Sequence, residues 1–107
     1  MISKDKELEK EIDILVRSQG DFLNLIIAME ECSELIKAIS KMLRYLMLEE
    51  DVYSIKYEKL KENIIEEMAD VIICEYMLSK IFNIPKEQMD NMIKLKMERN
   101  IKRIEKE

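Results

Sequence analysis

Apolar residues recur every three or four positions along nearly the whole chain, which is the period of a helix with one buried face. Leu8, Ile12, Leu15 and Val16 predict a short first helix from about Lys4 to Arg17. Ser18-Gln19-Gly20 ends it: Gly20 can adopt the left-handed conformation beyond a helix C-terminus, and Asp21 can then cap the next helix. Leu23, Ile26, Ile27, Leu35, Ile39, Met42, Leu43 and Leu46 mark one long helix from Phe22 to about Met47, with no breaker inside it. Glu49-Glu50-Asp51, followed by Val52, Tyr53 and Ser54, has no clear period and reads as a connection. A third helix is expected from Ile55 or Lys59 to Ile81. Pro85, preceded by Asn83 and Ile84, suits the first turn of a fourth helix reaching about Arg103.

Composition narrows this to an all-α fold. The 107 residues include one Gly and one Pro, with 48% apolar and 38% charged positions. That length predicts a single domain, residues 1–107, too apolar to be a disordered tail and too often interrupted by charge for a membrane span. Apolar residues on more than one face of long helices exceed what a monomer of this size covers. The expected architecture is therefore a four-helix bundle completed by oligomerisation. The formal charge of −5 disfavours nucleic acid and anionic membranes as partners. No apolar leader segment opens the chain, and Cys32 and Cys74 have no metal-type spacing. They read as small buried apolar residues in a reducing, cytoplasmic setting.

Acids interrupt two of the apolar faces. With each residue advancing about 100° round a helix, Glu67 lies about 60° from Asp70, and Cys74, Met77 and Ile81 fall within about 40° of it. On the preceding helix Glu31 and Glu34 share an arc with Ile27, Ala38 and Met42. A carboxylate on an apolar face loses its charge or needs a partner, and four together call for a cation. The chain contains no histidine, so imidazole bases and the usual zinc and haem sites are excluded. Four carboxylates are hard oxygen donors suited to Mg²⁺ or Mn²⁺. The plain alternative is that these acids are solvated helix faces paired with nearby lysines.

Glu30-Glu31-Cys32-Ser33-Glu34 matches an E-E-x-x-E motif, and Glu67-Met68-Ala69-Asp70 an E-x-x-D motif, in the order in which they stand in the MazG-like all-α nucleoside triphosphate pyrophosphohydrolases. The flanking segments AMEECSELIKAISK and EEMADVIICEYML resemble that family's two metal-binding helices, and KLKMERNIKRI is similar to its basic C-terminal segment. The resemblance covers roughly residues 22–103. The separation of Glu34 from Glu67 is long for the simplest members.

The resemblance implies a Mg²⁺-dependent enzyme that hydrolyses a nucleoside triphosphate to the monophosphate and pyrophosphate, with a house-cleaning role in the nucleotide pool. It implies Glu31, Glu34, Glu67 and Asp70 as metal ligands and Glu30 as an additional ligand or the base that orients water. It implies Lys96, Arg99 and Asn100 as contacts to the nucleotide, and a homodimer or homotetramer as the working form. Alternatives are the dUTPase-like or phosphoribosyl-ATP pyrophosphohydrolase branches, or a non-enzymatic helical interaction module.

Overall fold

The computed structural model describes residues 6–48 and 54–106. Four helices follow one another: α1 (Lys6–Gln19), α2 (Asp21–Met47), α3 (Ile55–Ile81) and α4 (Lys86–Glu105), with no strand among the described residues. None of these helices is long and apolar enough to cross a membrane. The expected start of α1 at Lys4 and most of the connection after Leu48 lie outside the described residues.

Two of the junctions differ in detail from the sequence reading. Gly20, not Asp21, is the N-cap of α2, and Asp21 is the first helical residue. Gly20 sits at φ 80°, ψ 158°, an extended conformation of positive φ that only glycine adopts without strain. Its N–H donates to the Val16 carbonyl and its own carbonyl accepts from the Asn24 N–H, so one residue closes α1 and opens α2. Pro85 likewise stands one residue before α4, as its N-cap. Between α3 and α4 the chain forms a Schellman turn: Asn83, at φ 51°, donates to the Lys80 carbonyl while the Ile84 N–H reaches back to Ser79.

The body of the molecule is the pair α2 and α3, with α1 laid mainly against α3. Along α2 the residues turned inward are Asn24, Ala28, Glu31, Leu35, Ala38, Met42 and Tyr45, all buried or half-buried. Along α3 they are Leu60, Asn63, Glu67, Asp70, Cys74, Met77 and Ile81. Both series step by alternating threes and fours, the spacing of two helices packed seam to seam. Tyr45 meets Ser54 and Tyr57 near one end and Glu31 meets Asp70 further along, so the helices run antiparallel. Buried Ala28 and Ala38 allow the backbones to approach closely.

Two polar ties hold the ends. Asn24, 1% exposed, donates from Nδ2 to the Val16 carbonyl at 3.1 Å and locks the α1–α2 corner. Lys80 pairs with Asp13 at 2.8 Å, fastening α1 to α3; this hydrogen bond holds the Asp13 carboxyl below its usual 3.8, against the opposing effect of burial. Among the described residues, α4 packs against none of the other helices and buries none of its residues.

Replacing Gly20 by alanine puts a Cβ into open space, so any loss comes from backbone conformation alone. Gly20→Ala is expected to lower stability by about 1–3 kcal/mol. The shift in urea midpoint at unchanged slope measures it. Asn24→Ala, which strips the Val16 carbonyl of its side-chain donor, is expected to cost about 1–3 kcal/mol in the same assay.

Candidate metal centre

Glu31, Glu67 and Asp70 occupy positions in the two facing seams where apolar side chains otherwise stand. Each is half-buried, and one carboxylate oxygen from each lies within 4.8 Å of the others. The Asp70 carboxyl lies close enough to Glu31 to act on its ionisation. Among the described residues no lysine or arginine forms an ion pair with any of the three. Glu67 Oε2 is shut off from water and has no hydrogen-bond partner.

Electrostatics follow from this crowding. Burial, then the Asp70 hydrogen bond and the charges of Asp70, Glu67 and Glu34, push the Glu31 carboxyl above its ordinary 4.5. Burial and the neighbouring charges of Asp70, Glu34 and Glu66 push Glu67 the same way. Cys74, one turn beyond Asp70, is 3% exposed, and burial raises its thiol to about 11. It is an apolar floor to the cluster and no nucleophile.

The other expected site residues are distributed differently. Glu34 falls next to the α2 seam and not in it, so its side chain is exposed and pairs with Lys37 at 3.4 Å. It remains near enough for its charge to act on Glu31 and Glu67. Glu30 is exposed and lines a shallow depression on α2 with Met29, Glu31, Ser33 and Glu34. Lys96, Arg99 and Asn100 are exposed on α4, and one chain does not bring them to the carboxylates. Cys32 is exposed, contrary to expectation, at the flank of the α2–α3 seam; both cysteines are free. Tyr45, an aromatic that might otherwise stack on a base, is 7% exposed, with its hydroxyl bonded to Ser54 and its ring beside Tyr57.

The three clustered carboxylates fit a hard divalent cation: all donors are oxygen, all are acceptors when ionised, and one buried oxygen lacks any donor. No protein-family model, curated protein or solved structure matches the chain.

Because Glu31 and Glu67 titrate above 4.5 in the fold, the native state holds their protons longer than the unfolded chain does. Their contribution to stability is full below 4.5 and is lost as pH rises through the raised values. Asp13 and Asp90, lowered below 3.8, act in the opposite sense and lose their contribution as pH falls. In chelator, the melting temperature is therefore expected to decline as pH rises above 4.5. Saturating MgCl₂ should flatten that decline, since the cation takes the place of the proton. Glu67→Gln should raise the melting temperature in chelator, by removing one of the crowded charges, and should abolish the response to MgCl₂. Circular-dichroism melts across pH, with and without metal, check both outcomes.

Proposed function

We propose that the chain is a MazG-like, divalent-metal-dependent nucleoside triphosphate pyrophosphohydrolase: a (d)NTP and water give the (d)NMP and pyrophosphate. The observation that carries this reading is the approach of Glu31, Glu67 and Asp70 within 4.8 Å on two adjacent helices, with no ion pair to a cationic side chain among the described residues. The two motifs that resemble the family supply these same three residues. The reading includes a cytoplasmic setting and a homodimer or homotetramer.

In this reading Glu31, Glu67 and Asp70 hold Mg²⁺, or Mn²⁺ in its place, and Glu34 joins them from the rim by leaving Lys37. When bound, the cation supplies positive charge against the phosphate oxygens and acidifies water for attack. The chain's own contribution is positioning and proton handling. Glu30, exposed beside Glu31 at the edge of the depression, accepts the proton of the attacking water. Cys74 and Met77 keep water from the inner side of the carboxylates. Lys96 and Arg99 pair with substrate phosphate and Asn100 bonds phosphate or sugar, from an α4 that reaches the site by assembly of chains.

The test is pyrophosphate release in MgCl₂ across a panel of canonical and modified nucleotides, including dUTP and phosphoribosyl-ATP. Asp70→Asn and Glu67→Gln are expected to lower kcat/KM by roughly 100-fold or more while remaining folded. Glu30→Gln should lower kcat with KM nearly unchanged. Wild-type activity in Asp70→Asn removes that residue from the site. A folded protein that binds Mg²⁺ and releases pyrophosphate from no nucleotide overturns the enzymatic reading in favour of the helical interaction module.

A further inference from the structure

At the end of the α2–α3 pair marked by Tyr45 and Ser54, side chains of both helices enclose a cavity of about 340 Å³. Its walls are Lys41, Arg44 and Leu48 from α2 and Lys56 and Leu60 from α3, with Tyr45 between them. That volume falls in the range of small-molecule sites. Three of the six lining residues are cations and none is an acid.

The sequence withholds the usual partner from each of these cations. A lysine or arginine on a helix surface ordinarily pairs with an acid three or four residues away, as Lys37 does with Glu34, Arg17 with Asp13 and Lys86 with Asp90. Around Lys41 those positions hold Lys37, Ala38, Arg44 and Tyr45; around Arg44 they hold Ser40, Lys41, Met47 and Leu48; Lys59 and Leu60 follow Lys56. No acid stands at any of them, in a chain that has 23. Among the described residues none of the three cations forms an ion pair.

Packing then draws the charges together. Tyr45 is buried, and the Lys56 ammonium stands 5.6 Å from the centre of its ring, where the electron-rich face attracts it. Arg44 directly precedes Tyr45 and Lys41 lies one turn before it, so a cation from α3 is set beside two from α2. Like charges gathered around a concavity repel, and one anion within it relieves all three.

We infer that this cavity binds a small, multiply charged phosphate compound, an anhydride or an ester. The Arg44 guanidinium offers paired donors to phosphate oxygens and the two ammonium groups offer point charges, while Leu48 and Leu60 give the rest of the ligand an apolar wall. An acidic peptide is a poorer match, because the cations ring one cavity and do not follow a groove. The site is separate from the candidate metal centre: Arg44 stands thirteen residues beyond Glu31 on the same helix, about 20 Å at the helical rise. It needs neither a metal ion nor catalytic activity.

Calorimetric titration of the full chain with sodium pyrophosphate in EDTA tests it, the chelator keeping the carboxylates free of metal. Binding is expected at one site per chain, weakened about tenfold or more as sodium chloride rises from about 20 to about 200 mM. Lys41→Gln, Arg44→Gln and Lys56→Gln, each folded by circular dichroism, should weaken it by about tenfold. Asp70→Asn at the metal centre, and Lys102→Gln with Arg103→Gln on the basic face of α4, should bind as the wild type does. A wild-type chain that takes up no pyrophosphate overturns the inference, as does binding lost in the α4 variant and kept in Arg44→Gln. Glu49, Glu50 and Asp51 follow α2 in sequence. If pyrophosphate binds only once these are changed to Gln, Gln and Asn, the chain's own acids serve the cavity and the inference fails. Sedimentation with phosphatidylserine vesicles, without uptake of pyrophosphate, overturns it in favour of a lipid surface. Pyrophosphate release from nucleotides is measured separately in MgCl₂, so a failed cavity and a failed enzyme are told apart.

Discussion

The rest of the structure depends on one constraint: α2 and α3 must meet along a seam that contains three carboxylates. Glu31, Glu67 and Asp70 stand where leucine or isoleucine would seal the pair. They are too enclosed to be fully hydrated, and none forms an ion pair with a described lysine or arginine. Such an arrangement persists only if a proton or a cation reduces its charge. Burial and the neighbouring carboxylates accordingly hold the Glu31 and Glu67 carboxyls above their ordinary value.

The surrounding packing is organised to keep that seam in place. Ala28 and Ala38 bring the backbones together on either side of Glu31, while Cys74 and Met77 fill the space beyond Asp70. Tyr45, bonded to Ser54 beside the start of α3, pins one end of the pair. At the other end α1 braces α3 through Asp13 and Lys80, and Asn24 fixes the corner from which α2 departs. These contacts hold the register that sets Glu31 opposite Asp70. A slip of one residue would rotate the acids off the seam into water.

The small core explains why so much apolar surface remains. Only a handful of side chains are fully buried, and several are alanine or cysteine. Two long helices and one short one cannot wrap around each other enough to cover α2 on both sides. α4 leaves the body at a Schellman turn whose geometry is fixed by Asn83 and Pro85, and so adds no cover. The chain thus carries acids on its inner seam, an uncovered apolar flank on α2 and a basic helix standing outside the body.

Periodicity, the scarcity of glycine and proline, and the caps that those two residues supply were enough to determine four helices, with the limits of α2 and α4 and the ends of α1 and α3 within two residues and the start of α3 left between Ile55 and Lys59. These are local properties, set by side-chain spacing and backbone freedom. That Glu67 and Asp70 share the apolar face of α3, and that Glu31 interrupts the apolar face of α2, was also legible, because residues three or four apart on a helix share a face. Two features could not be read that way. Glu34 is as close to Glu31 in sequence as Asp70 is to Glu67, yet only the crossing of α2 and α3 decides that the partner helix covers Glu31 and passes Glu34 by. Lys96, Arg99 and Asn100 share a basic helix in the sequence, but their distance from the carboxylates is set by the direction in which α4 leaves α3. Helical spacing dictates which side chains point the same way along one element. Only tertiary packing decides what they point at, because that depends on contacts between residues far apart in the chain.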